Sequence, residues 1–276
     1  MIQTSSIIAM AAAGLICTLY PLLLLVFWRK KANAPLAPFF VGAGTFILFA
    51  MVLEALCHQV CLMGDNAVAR AIRGSVVLYT LYGGFAAGIF EETGRFVAFK
   101  LMKKHDCRET AITYGIGHGG GEAILIVGVN MLVFAGMSLI LNRAGTLDLG
   151  IIGGPDGPTA AFAGDADGAL LGTLQGITPA NCALATYERL VTVLFHIALS
   201  VLVFAAARRP GKLWLYPVAV LLHASVDFIA VLFQLGMIKS LLLTEVFITV
   251  YTALVICFAL WVWKRMEAAP KEEEPE

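Results

Sequence analysis

Seven stretches of this chain are each long and apolar enough to cross a bilayer, and that restricts what the backbone can do. A hydrocarbon core about 30 Å thick takes roughly 20 residues of α-helix to span. Within it every backbone N–H and C=O needs a partner inside the protein, so only helices and closed barrels cross. The runs cover 5–28, 36–60, 75–99, 110–141, 183–206, 213–234 and 241–263. They do not alternate apolar and polar residues, as barrel strands do. The sequence therefore predicts an all-α polytopic membrane helical bundle of about seven transmembrane helices, folded as a single integral-membrane domain over 1–276. With 59% hydrophobic and 14% charged residues the chain is far more apolar than a soluble domain. A net charge of zero offers no basic surface for nucleic acid, which is excluded as a partner. The partner that composition does imply is the lipid bilayer.

Lys and Arg set the orientation, because short cytoplasmic loops carry their excess. Arg29, Lys30 and Lys31, then Lys100, Lys103, Lys104 and Arg108, then Arg208, Arg209 and Lys212, then Lys264, Arg265 and Lys271 fall at one set of helix ends. The opposite set carries Arg70, Arg73, Arg143 and Lys239. The N-terminus is therefore expected outside and the C-terminus in the cytoplasm, in a multi-pass protein of the cell membrane, taken as a bacterial plasma membrane. Trp28, Trp214, Trp261 and Trp263 fall near the cytoplasmic interface, as aromatic belts do. Residues 142–182 read as one long outer loop and 267–276 as a short acidic cytoplasmic tail. Residues 1–6 lack the positive n-region of a cleaved signal, so the first run is expected to stay as a span. Cys57-His58-x-x-Cys61, near the outer end of the second run, has two thiols one turn apart and no second pair, a weak metal pattern.

Ionisable residues inside hydrocarbon are costly and are by default functional. Four of the runs carry them: Glu91-Glu92-x-x-Arg95, His118-Gly-Gly-Gly-Glu122, Phe195-His196 and His223-x-x-x-Asp227. At 1.5 Å of rise per residue, Glu91 and Glu92 lie about 13 Å from the cytoplasmic end, His118 about 12 Å, and His196 and His223 each about 15 Å. Four helices thus place His or Glu at one level, and nothing in composition requires that agreement. Glu188 and Arg189 lie further toward the outer half, and Glu54 and Glu245 read as outer interface residues.

The residue types suit zinc, which takes imidazole nitrogen and carboxylate oxygen and keeps an open position when catalytic. Such a metal activates water, and a nearby carboxylate moves its proton. His118, His196, His223 and Asp227 are the candidate ligands. Adjacent helical residues point about 100° apart, so one of Glu91 and Glu92 faces the metal while the other serves as base or as its outer partner. Arg95, one turn after Glu91, is placed to hold that carboxylate ionised. Glu122, one turn beyond His118 on the same face, is a further catalytic candidate or a fourth ligand. Each group taken singly also fits a structural hydrogen bond or a proton carrier.

Two resemblances follow from these residues. The loop segment from Ile151 to Ala160, with Gly153-Gly154-Pro155-Asp156-Gly157-Pro158 at its heart, resembles a short motif in the membrane β-subunits of sodium-pumping decarboxylases; its bare chemistry is that of a Gly/Pro turn. From about Tyr82 to Asp227 the chain resembles the YhfC family of intramembrane metalloproteases, which share a motif logic with the CAAX-protease and bacteriocin-processing family. That broader family has Glu-Glu-x-x-x-Arg, Phe-x-x-x-His and His-x-x-x-Asn on separate helices. Here Glu91-Glu92-x-x-Arg95 has one residue fewer in its spacer, His196 is preceded by Phe195 with Thr192 in the motif's Phe position, and His223-x-x-x-Asp227 ends in Asp. Gly117-His118-Gly119-Gly120-Gly121-Glu122 and Glu188-Arg189 are similar to features of the YhfC group.

The resemblance implies a metal-dependent endopeptidase acting on a membrane-anchored peptide or protein near the cytoplasmic leaflet, with Glu91 or Glu92 as base. Two other classes stay open. An ion- or proton-coupled transporter also uses membrane His and Glu, although three histidines favour zinc over a sodium site built from oxygens. A non-catalytic membrane protein that binds partners is the third.

Overall fold

A computed structural model of the chain describes residues 1–144 and 166–266. The loop motif at 151–160 and the acidic tail at 267–276 lie outside the described residues. Within them the chain is helical and contains no strand. In chain order the helices are α1 (Thr4–Ala32), α2 (Ala37–Met63), α3 (Ala67–Arg73), α4 (Val76–Leu101), α5 (Glu109–Arg143), α6 (Ala166–Gly176), α7 (Pro179–Arg208), α8 (Leu215–Gln234) and α9 (Leu241–Arg265). Helix α2 widens into π-helical turns at Ile47–Glu54 and Gln59–Met63, and α5 does so at Ala123–Gly128, directly after Glu122.

Six helices, α1, α2, α5, α7, α8 and α9, are long and apolar enough to cross a membrane, and the protein is an all-α polytopic membrane bundle. The seventh expected span, α4, matches them in length at 26 residues. Glu91, Glu92 and Arg95 lower its apolar content, and α4 is not among the six. Helices α3 and α6 are too short to span. Helix α6 occupies part of the stretch 142–182 that the sequence reads as loop.

Local chemistry sets the helix ends. Asn66 Oδ1 accepts the Ala69 N–H at 2.9 Å ahead of α3, Ser75 Oγ accepts the Leu78 N–H ahead of α4, and Ser240 Oγ accepts the Leu243 N–H ahead of α9. Arg29, Lys30 and Lys31 end α1 and Lys264 and Arg265 end α9, where cations complement the negative end of the helix dipole. Gly236, at φ 70°, takes the left-handed conformation just past α8.

The described residues fall into two compact units. The first comprises 1–20 and 123–190. Its core holds Ile7, Met10, Ala13, Ala135, Leu174 and Cys182. Asn142 closes it on the chain start, accepting the Ile2 N–H at 2.8 Å and donating to the Ile2 carbonyl at 2.7 Å.

The second unit comprises 21–122 and 191–276 and contains the whole ionisable cluster. Its largest apolar cluster runs through Phe99, Tyr114, Leu199, Leu202, Phe204 and Leu215. Glycine seams bring the cluster-bearing helices together, because small residues let membrane helices approach backbone to backbone. A Cβ on Gly88 of α4 would stand 2.8 Å from the Val220 carbonyl of α8, and one on Gly84 would stand 2.7 Å from the Ala224 carbonyl. On α5, a Cβ at Gly117 would run into the Phe39 backbone of α2, and one at Gly119 would lie 2.9 Å from His196 Cβ of α7. The Gly-rich run around His118 thus serves close packing.

Gly88→Val drives a branched side chain into the α8 backbone. We expect it to lower stability by about 1–3 kcal/mol, read as an earlier thermal unfolding midpoint in detergent. Gly136→Ala, where a Cβ meets nothing within 4 Å, serves as the control and stays close to wild type.

Candidate metal centre

The two adjacent glutamates of α4 diverge as helix geometry requires. Glu91 turns toward α5, and its Oε2 lies 2.8 Å from His118 Nε2. Glu92 turns toward α8, and its Oε1 lies 2.8 Å from His223 Nδ1. Arg95, three residues on, donates from Nη1 to both Glu92 oxygens at 2.7 and 2.8 Å. The sequence spacing suggested Glu91 as the partner of Arg95; the carboxylate that Arg95 holds is Glu92. Glu92 and Arg95 are both fully buried.

Arg95 also reaches α7, where its Nη2 lies 3.0 Å from His196 Nδ1. A guanidinium only donates, so His196 Nδ1 is the acceptor and the ring carries its proton on Nε2. That nitrogen lies 2.6 Å from Glu122 Oε2. His223 Nε2 lies 3.5 Å from Asp227 Oδ2, one turn along α8. The imidazoles form a row, with ring centroids 5.1 Å apart for His118 and His196 and 5.4 Å for His196 and His223. Phe46, Tyr114 and Phe195 pack their rings around it.

All eight residues singled out from the sequence therefore meet in one network. Within it, Glu91, His196 and His223 each bring a ligating atom to within 4.8 Å of the other two, the one such trio among the described residues. His118 and Asp227, expected among the ligands, are not in that trio; His118 Nε2 meets Glu91, and Asp227 lies beside His223 Nε2. One carboxylate and two imidazoles are a donor set that suits a divalent transition metal and leaves a coordination position open. Buried carboxylates are costly away from water unless they are paired, and here Glu91 meets His118 while Glu92 meets Arg95 and His223. His223 meets Glu92 through Nδ1, the carboxylate–histidine arrangement that orients metal ligands.

Glu54 escaped the sequence reading, which placed it at the outer interface. It is buried in the π-helical part of α2 and lies in electrostatic range of Glu91, His223 and Asp227. The available signal was a carboxylate inside an apolar run. Glu188 and Arg189 pair with each other in the first unit.

A family model described as YhfC intramembrane metalloprotease matches residues 16–248 of the chain. The chain is also similar to a protein of Bacillus subtilis (strain 168) described as uncharacterized membrane protein YhfC. The two are 32% identical over 268 residues, covering 96% of this chain and 98% of the relative. No solved structure matches the chain.

Replacing Arg95 by Leu strands the Glu92 carboxylate and removes the donor to His196. Breaking a buried pair from one side costs about 3–5 kcal/mol, so R95L is expected to melt well below wild type. The double variant E92Q/R95L removes the stranded charge and should recover part of that loss in the same melting experiment.

Proposed function

Because the chain belongs to the YhfC intramembrane metalloprotease family, we propose that it hydrolyses peptide bonds of membrane-associated peptides or proteins, with Glu91, His196 and His223 holding one divalent metal, zinc. The observation that carries this reading is the convergence of those three ligating groups from α4, α7 and α8 within 4.8 Å. The Lys/Arg pattern supports a site toward the cytoplasmic leaflet, and in this reading the substrate is a segment anchored in or lying on that leaflet.

When bound, the metal polarises the scissile carbonyl and activates water. The remaining chemistry belongs to the side chains. Glu92 is committed to Arg95 and His223, so it orients His223 rather than shuttling protons. Arg95 keeps His196 Nδ1 an acceptor, which directs Nε2 toward Glu122. His196 would hold the metal through Nε2, giving up the proton there, and Glu122, 2.6 Å from that nitrogen, would be placed to take it. Glu122 is therefore the base in this reading, taking the proton of the attacking water and passing it to the leaving amine. Glu91, which the sequence left as an alternative base, becomes a ligand, and His118 Nε2 fixes its carboxylate. Asp227 lies 3.5 Å from His223 Nε2, the nitrogen left for the metal, so in this reading it stands beside the metal position.

Metal content by mass spectrometry on detergent-purified protein tests the assignment. Wild type is expected to hold near-stoichiometric zinc, and E91Q and H196A/H223A to lose it. H118A removes a partner of a ligand rather than a ligand, so its affinity should fall about 10–100-fold. E122Q should keep the metal and lose peptide-bond hydrolysis. Unchanged metal in both E91Q and H196A/H223A would sink the ligand set.

A further inference from the structure

Away from this centre, the final turns of α2 carry two thiols. Cys57 Sγ and Cys61 Sγ lie 3.9 Å apart; both are half-buried and neither is in a disulfide. Residues four apart on a helix are separated by about 6 Å of rise, inside the Cα separation of about 4.4–6.8 Å that a disulfide accepts. The Cβ atoms of residues four apart on a helix stand about 5–6 Å from each other, against about 3.5–4.5 Å in a disulfide, so closing the bond takes a small adjustment of the last turns of α2 together with side-chain rotation.

This end of α2 meets water. Met63 is its last residue, and the turn that follows carries the Asp65–Arg70 pair, whose side chains are 95% and 60% exposed. Cys61 is near that end, and Cys57 is one turn deeper. Cys57 is held from α4, where the Tyr82 hydroxyl donates to its Sγ at 3.6 Å. A phenol has one proton. With that proton on sulfur, the Tyr82 oxygen accepts from His58 Nδ1–H at 2.8 Å, and His58 Nε2 lies 3.3 Å from Glu54 Oε1. Both nitrogens of His58 thus have partners in Tyr82 and Glu54.

We propose that Cys57 and Cys61 are a dithiol site that closes reversibly into a disulfide by exchange with an external disulfide. The Cys61 thiolate attacks one sulfur of R–S–S–R, forming a mixed disulfide and releasing one R–S⁻, which takes up the proton that Cys61 lost. The Cys57 thiolate then attacks Cys61 Sγ, forming the Cys57–Cys61 bond and releasing the second R–S⁻, which takes up the proton of Cys57. Two protein thiols are oxidised and one disulfide is reduced to two thiols, with no further reactant.

The test treats full-length protein in detergent with oxidised glutathione, traps remaining thiols with a maleimide and maps the peptides by mass spectrometry. In wild type, Cys57 and Cys61 should leave the alkylatable pool together, with a loss of two hydrogens from the peptide that bears them, and dithiothreitol should restore both. C57S should stop at a glutathione adduct on Cys61. Wild type that keeps both thiols, or that also stops at the glutathione adduct, overturns the proposal, and the wild-type result decides this without relying on the variant.

Discussion

A single guanidinium organises the centre of this molecule. Arg95 is buried, donates to both oxygens of Glu92 on its own helix, and reaches His196 on α7. Because it only donates, it fixes which nitrogen of His196 carries the proton and so which side of that ring faces Glu122. Because it occupies Glu92, it makes that carboxylate an anchor for His223 rather than a mobile base. In the proposed reading, the different roles of Glu92 and His196 follow from where this guanidinium sits.

That arrangement depends on how closely the helices approach. A side chain of ordinary length at Gly88 or Gly117 would push α8 or α2 away from its neighbour, and hydrogen bonds of 2.6–2.8 Å between helices do not survive such a shift. Hydrocarbon supplies little drive for helix association, so backbone-to-backbone packing has to contribute much of it. The glycines and the ionisable residues are therefore two parts of one requirement. The first lets the second converge, and the second, left apart, would be unsatisfied polar groups in an apolar medium.

The sequence was most legible where one long apolar run decides the outcome. The run at 36–60 appears as Ala37–Met63 and that at 241–263 as Leu241–Arg265, because hydrocarbon thickness fixes length and backbone satisfaction fixes helix. The common depth of His118, His196, His223 and the Glu pair was legible too, since rise per residue is constant along a helix. Azimuth was not. Depth along a helix says nothing of which neighbour a side chain faces, so spacing alone paired Arg95 with Glu91 instead of Glu92 and left the roles of the two glutamates open. Glu54 was missed for a related reason. Counted from the outer end it reads as an interface residue, but α2 widens there and buries it within electrostatic range of the His223 cluster. Helices α3 and α6 are too short for periodicity to announce them.

The hydrolysis proposed above would have to admit water without dissolving the fold, and the side chains of the network differ in how enclosed they are. Glu92 and Arg95 are fully enclosed, whereas the side chains of Glu122 and Asp227 are 12% and 28% exposed. The anchoring pair is thus dry, where its attraction is least screened. Glu122 and Asp227, which touch His196 and His223, are less enclosed than that pair. A proton carrier has to exchange with water, which the enclosed Glu92 does not do, and that is consistent with the proposed reading in which Glu92 orients and Glu122 moves the proton.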